Sequence, residues 1–162
     1  MNIDSKYETL KTVVHELKGV LVAYSGGLDS TLLLKTSVDV LGSDNVVAFI
    51  GNAPIFPAQE IKEAEQTALS IGSRYILLDT AILRHKRFVE NTRERCYHCK
   101  KNLFLLATKV AKENNMASIT DGTNLDDMND FRPGNAAAEE MGIVSPLCIA
   151  KLTKKDIRAL SE

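Results

Sequence analysis

The sequence predicts an α/β fold, a doubly wound parallel sheet of about five strands with helices on both faces, as one domain over residues 1–162. Three observations lead there. Four nearly continuous apolar runs recur, at 19–24, 45–50, 74–79 and 117–121, and such runs suit strands covered on both faces. Segments of helical periodicity alternate with them, at 30–42, 58–71, 97–114 and 133–141, as in parallel strands joined by helical crossovers. Finally, a glycine turn, Ser25-Gly26-Gly27-Leu28-Asp29-Ser30, stands where the first strand hands over to a helix. Ligands of such sheets gather at the carboxyl ends of strands.

Each element has its own warrant. Leu10, Val13, Val14 and Leu17 share one face of an amphipathic helix over 5–17. Val20, Leu21, Val22 and Ala23 form the body of the first strand, and Leu32, Leu33 and Leu34 bury the helix after it. Phe56 and Pro57, after the second strand, are candidates to border an aromatic base. The third strand is 74–79, the fourth 117–121, and Ile143-Val144 offers a short fifth. Thr153 reads as the N-cap of a last helix. Its ending at Glu162, barely two turns on, reads as an interruption.

Composition narrows the function classes. With 162 residues, 44% hydrophobic and 25% charged, the chain can bury a sizeable core. A formal net charge of −1 supplies no global basic field, so nucleic acid is not the expected partner. No stretch is long enough to span a bilayer, and Met1-Asn2-Ile3-Asp4-Ser5-Lys6 lacks the apolar core of a signal peptide. The expected location is the cytoplasm, without a membrane partner. Three cysteines, an odd number, point to thiol or metal chemistry rather than a disulfide framework.

The loop at 25–30 carries the sharpest chemistry. Two glycines let the backbone approach an anion, Ser25 and Ser30 add hydroxyls, and a helix N-terminus adds free N–H groups. The Walker spacing and its lysine are absent, as is G-x-G-x-x-G. A phosphate-binding loop of another kind is expected.

Two further constellations stand out. Cys96-Tyr97-His98-Cys99 at a helix start puts two thiols near one face. Arg93, Arg95, Lys100 and Lys101 beside them favour thiolates. A redox pair or simple packing are alternatives. A zinc site needs four ligands, and Cys148, His98 and His85 complete one only if the fold gathers them. Asp121-Gly122-Thr123-Asn124 leads an acidic run at the end of the fourth strand, suited either to Mg²⁺ beside a triphosphate or to a solvated turn. Arg132, before Pro133-Gly134, can pair with phosphate, a substrate carboxylate or the neighbouring aspartates.

The hexapeptide Ser25–Ser30 resembles the S-G-G-x-D-S loop of the PP-loop ATP pyrophosphatases, with an adenine nucleotide alpha hydrolase-like, Rossmann-like fold. Arg95-Cys96-Tyr97-His98-Cys99-Lys100-Lys101, Asp121-Gly122-Thr123-Asn124, Phe131-Arg132-Pro133-Gly134, Ser145-Pro146-Leu147 and Leu152-Thr153-Lys154 narrow the resemblance to LarE-type ATP-dependent sulfur transferases. That resemblance implies binding of ATP and Mg²⁺ and adenylation of a small-molecule carboxylic acid with release of pyrophosphate. Sulfur transfer toward a nickel-pincer cofactor follows in the family. It implies nucleotide contacts at Ala23, Ser25, Gly26, Gly27, Asp29, Ser30, Gly122 and Thr123, and catalytic roles for Asp29, Ser30 and Arg132. Mg²⁺ would fall to Asp29 and Asp121, while Cys96 and Cys99 match two ligands of the [4Fe-4S] cluster in three-cysteine members.

Family members continue beyond the position matching Glu162 into a second domain, which is expected to be absent here. A partner chain supplying it, or a homo-oligomer, is the corresponding expectation. The competing readings are a tRNA-thiolating or amidating PP-loop enzyme, and a non-catalytic ATP-binding module needing a partner chain.

Overall fold

The computed structural model describes residues 1–80, 95–130 and 133–162. Four parallel strands form one sheet: β1 (Val20–Ala23), β2 (Val46–Asn52), β3 (Arg74–Asp79) and β4 (Ser118–Thr120). The described helices are α1 (Ile3–Leu17), α2 (Leu28–Leu41), α3 (Ala58–Ile71), α4 (Arg95–Glu113), α5 (Pro133–Glu140), α6 (Pro146–Ile149) and α7 (Lys154–Leu160).

The strands lie in the order β3-β2-β1-β4. The chain winds outward from β1 through β2 to β3, then crosses back to lay β4 on the other side of β1. The carboxyl ends of β1 and β4 therefore flank the point where winding reverses, the usual crevice of an open α/β sheet. In register, Val20 faces Val46 on one side and Ser118 on the other.

β1 is central because its side chains bury in both directions. Val20 and Val22 join Leu10 and Val14 of α1, Leu33 and Leu34 of α2, and Ala64 and Ala68 of α3. Leu21 points the opposite way, to Val47 and Phe49 of β2 and Ala107, Val110 and Ala111 of α4. Val20, Leu21 and Val22 are all 0% exposed, and each such side chain stabilises by about 1.5–3 kcal/mol. The period-2 alternation hidden inside an all-apolar run thus becomes visible only when both faces are covered.

Two expectations need correction. The sheet has four strands, not five: Ile143-Val144 contributes only a parallel bridge from Val144 to Thr120. Gly142 turns the chain at φ 68 just before, and Pro146 opens α6 just after. Proline has no N–H with which to extend a ladder, so one residue is left to pair. Val144 donates to the Ile119 carbonyl at 2.9 Å and accepts from the Asp121 N–H at 3.1 Å. The run at 74–79 also departs from a strand buried on both faces. Arg74, Leu77 and Asp79 of β3 are exposed, because it is an edge strand of the sheet.

α7 returns to the start of the chain. The Thr153 hydroxyl accepts from the Asp156 N–H at 3.2 Å, and Asp156 Oδ2 accepts from the Thr153 N–H at 3.0 Å, a reciprocal capping box. Lys6 of α1 donates to the same Asp156 oxygen at 2.6 Å. Among the described residues no helix is long and apolar enough to cross a membrane.

Lys6 first, and then the Thr153 N–H, hold the Asp156 carboxyl down to about 2 from 3.8. A carboxyl depressed on folding adds stability above its unfolded value and loses it as pH falls through the folded one. Asp156→Asn is expected to lower stability to urea at neutral pH by about 1 kcal/mol. The gap from the parent chain should close between pH 3.8 and about 2. A gap independent of pH would mean that the carboxylate charge is not the stabilising element.

Candidate active site at the carboxyl ends of β1 and β4

The loop after β1 is shaped by its own hydroxyls. Ser25 Oγ accepts the Gly27 N–H at 3.2 Å and shares a hydrogen bond with Ser30 Oγ at 3.0 Å. Ser30 Oγ also donates to the Gly27 carbonyl at 3.2 Å. Gly26 adopts φ 83, a conformation that side chains disfavour, and a Cβ there would lie 3.0 Å from the Ala64 Cβ. Gly27 is the N-cap of α2 and has no side chain to cap it. The first-turn N–H groups of a 14-residue helix therefore point at the crevice with a partial positive charge, an anion-receiving arrangement.

Opposite this loop stands the turn after β4. Asp121 is 4% exposed. Its Oδ1 accepts from the Ser145 hydroxyl at 2.7 Å and the Thr123 N–H at 3.2 Å, while Oδ2 accepts from the Thr123 hydroxyl at 3.0 Å. Gly122 passes so close to α2 that a Cβ would lie 3.0 Å from Ser30 N. A side chain here would press on the backbone of Ser30.

Between the two loops lies a cavity of about 530 Å³. Its walls include Ala23, Ser25, Gly27, Asp29 and Ser30 from the first loop and Asp121, Gly122, Thr123 and Asp127 from the second. Cys96 and Lys100 of α4, Gly134 and Asn135 of α5, and Lys154 of α7 close it. Gly26, Phe56 and Pro57 are not among its described lining residues; Phe56 is 37% exposed.

Asp29 is the focus. Oδ2 accepts from Asn124 Nδ2 at 2.9 Å and from the Lys154 ammonium at 2.5 Å. Oδ1 is buried and, among the described residues, has no hydrogen-bond partner. An unsatisfied buried carboxylate oxygen fits a hard cation, and Mg²⁺ takes only one or two protein carboxylates beside phosphate and water. Asp121 is a weaker candidate, because both its oxygens already hold the turn together.

The cysteines are dispersed in role. Cys96 is exposed and on the cavity wall; Cys99 is half-buried and packs against Ala53. Burial pushes the Cys99 thiol up, opposed by Lys100 and Arg95. The expected thiolate character is thus overturned at Cys99: desolvation outweighs the cations. Cys148 is half-buried too, its thiol pushed up by burial and then by Asp121 and Asp127. Among the described residues no group of three or more His, Cys, Asp or Glu side chains is placed to hold a metal. The three cysteines are not gathered at one point among the described residues, so the described donor set does not fit a three-cysteine cluster. His85, Arg93 and Arg132 lie outside the described residues.

Three site residues have no role assigned by sequence. Lys154 closes the Leu152-Thr153-Lys154 stretch, and the fold makes it the cation on Asp29. Asn124 ends Asp121-Gly122-Thr123-Asn124 and donates to Asp29, and Lys100, a neighbour of the thiols, lines the cavity. The signal available was their place within matching stretches.

The Ser25–Ser30 loop at the switch point, together with the family match and the relative described next, places the chain in the PP-loop superfamily of α/β proteins. It belongs to the NAD synthase family, whose match spans residues 3–131. The chain is 37% identical over 158 residues to pyridinium-3,5-bisthiocarboxylic acid mononucleotide synthase of Lactiplantibacillus plantarum, covering 98% of this chain and 57% of that protein. The NH3-dependent NAD synthetase of Campylobacter jejuni superposes with TM-score 0.76 at 18% identity, covering 99% of this chain and 72% of the other. The U34-tRNA thiolase NcsA of Methanococcus maripaludis, solved with its [4Fe-4S] cluster, gives TM-score 0.69 at 15% identity, covering 98% and 64%. Both structural likenesses concern the fold. The chain spans 57% to 59% of the length of two curated relatives that it matches almost end to end.

Gly122→Ala is expected to push the Ser30 backbone away, costing about 1–3 kcal/mol by overpacking. Nucleotide affinity should fall with stability, both read by thermal melts with and without ATP. Full retention of both would show that the two loops can separate freely. At the cysteines, iodoacetamide at mildly alkaline pH should label Cys96 well before Cys99, as mass spectrometry of timed samples would reveal. Equal rates would contradict the buried thiol.

Proposed function

We propose that this chain binds MgATP in the cavity between the two loops and adenylates a substrate carboxylate, releasing pyrophosphate. The pathway we propose is LarE-type sulfur transfer in nickel-pincer cofactor synthesis. The relative from L. plantarum, named as a synthase of a pyridinium bisthiocarboxylic acid mononucleotide, supports that choice. The observation that carries the reading is Asp29. Its carboxylate stands in the first turn of an uncapped helix, held by Lys154 and Asn124, with one oxygen left for a cation.

The chemistry follows from the parts. The N–H groups at the start of α2 receive the β- and γ-phosphates, the pair that leaves together. Lys154 and Lys100, both lining the cavity, offer positive charge. Asp29 would hold Mg²⁺, which supplies neutralisation of the triphosphate charge as the leaving group departs. A carboxylate oxygen of the acceptor attacks the α-phosphorus, and the bond from that phosphorus to the bridging oxygen breaks. The resulting acyl adenylate has AMP as its leaving group, which opens the carbon to a sulfur nucleophile. Cys96 is the thiol on the cavity wall; no step here runs through an iron–sulfur cluster.

The test is calorimetry of the chain with MgATP, followed by pyrophosphate release on addition of pyridine carboxylic acids. Asp29→Ala and Ser30→Ala are each expected to weaken MgATP binding at least tenfold, about 1.4 kcal/mol or more. Unchanged affinity would refute the loop as the phosphate site. Pyrophosphate release stimulated by tRNA instead of small acids would redirect the proposal to tRNA thiolation.

A further inference from the structure

We infer that Asn124 is a positioning residue that fixes which oxygen of Asp29 faces the cation. This rests on the MgATP reading above and names how the site holds its cation ligand ready. Asn124 is fully buried, 0% exposed. Its Oδ1 accepts from the Asp126 N–H at 2.8 Å and the Asp127 N–H at 3.1 Å, while Nδ2 donates to Asp29 Oδ2 at 2.9 Å. Two N–H groups demand the oxygen on one side and a carboxylate demands the NH₂ on the other, so only one orientation of the amide satisfies all three.

The turn bearing Asn124 is itself fixed. The Leu125 N–H donates to the Leu152 carbonyl at 2.9 Å, and Asp126 Oδ2 accepts from the Lys154 N–H at 2.8 Å. Asn124 therefore presents its donor at a set point, and Asp29 must place Oδ2 there. Lys154 uses the same oxygen. Oδ1 is left buried and, among the described residues, without a partner, a costly state that a bound cation relieves. Serine at position 124 would still accept the turn N–H groups but is too short to reach Asp29.

The experiment uses the whole chain and Mn²⁺ in place of Mg²⁺. ATP affinity is measured with Mn²⁺ and again in EDTA for the parent, Asn124→Ser, Asp29→Asn and the double variant. Asn124→Ser is expected to lose about tenfold or more of the Mn²⁺-dependent gain. Its affinity in EDTA should stay within about twofold, and the double variant should be no weaker than Asp29→Asn. Equal loss in both media, or additive losses in the double variant, would overturn the inference. If Asn124→Ser does not fold, the side-chain amide resonances of Asn124 in the parent decide. They should shift when Mg²⁺ is added to the ATP-saturated chain, and unmoved resonances refute the assignment. A parent chain that binds ATP in neither medium overturns the MgATP reading and this inference together, whereas normal binding with an indifferent Asn124 overturns the inference alone.

Discussion

Everything at the site depends on holding one carboxylate, Asp29, aimed inside the first turn of α2. A negative side chain is favourable at a helix N-terminus. In the proposed function the same helix end also receives phosphate, so the carboxylate cannot be left to compete for the N–H groups. The fold resolves this by taking Asp29 Oδ2 from outside the helix, with Asn124 and Lys154. Those partners lie 95 and 125 residues further along the chain. The site therefore exists only when the turn after β4 and the start of α7 are both in place.

The rest of the architecture serves that convergence. β1 sits between β2 and β4 and buries on both faces, which sets the position of the loop at its end. Gly122 lets the β4 turn lie against the backbone of Ser30, so the two loops share a wall rather than merely facing each other. α7 is tied down at its start by the capping box and by Lys6 of α1. The first helix of the chain thus steadies the last, and Lys154 rides at the junction. The Tyr97 hydroxyl donates to Glu140 Oε2 at 2.6 Å, joining α4, whose Cys96 and Lys100 line the cavity, to α5.

Charge in this protein is local. The chain is nearly neutral overall, with a formal net charge of −1. Yet the cavity gathers Asp29, Asp121 and Asp127 with Lys100 and Lys154. Paired charges of both signs suit a ligand that is itself an anion carrying a cation. The cysteines show the same principle in reverse. Basic neighbours do act on Cys99, but its burial wins, because removing water penalises a thiolate more than a partly exposed ammonium stabilises it.

By itself the sequence determined whatever is encoded in contiguous residues. The strands and helices, the glycine loop at 25–30 and the Thr153 cap are local, since apolar periodicity, glycine conformation and capping chemistry act within a few residues. The cavity's two main loops were legible for the same reason, each being a short motif at a strand end. Tertiary structure alone decided the rest. It made Ile143-Val144 a single bridge, because the space between a glycine turn and a proline is too short for a strand. It put β3 at an edge, since strand order is not written in any one strand. It also brought Lys154 and Asn124 onto Asp29: contacts across such separations follow from how the sheet winds, and no local pattern carries that information.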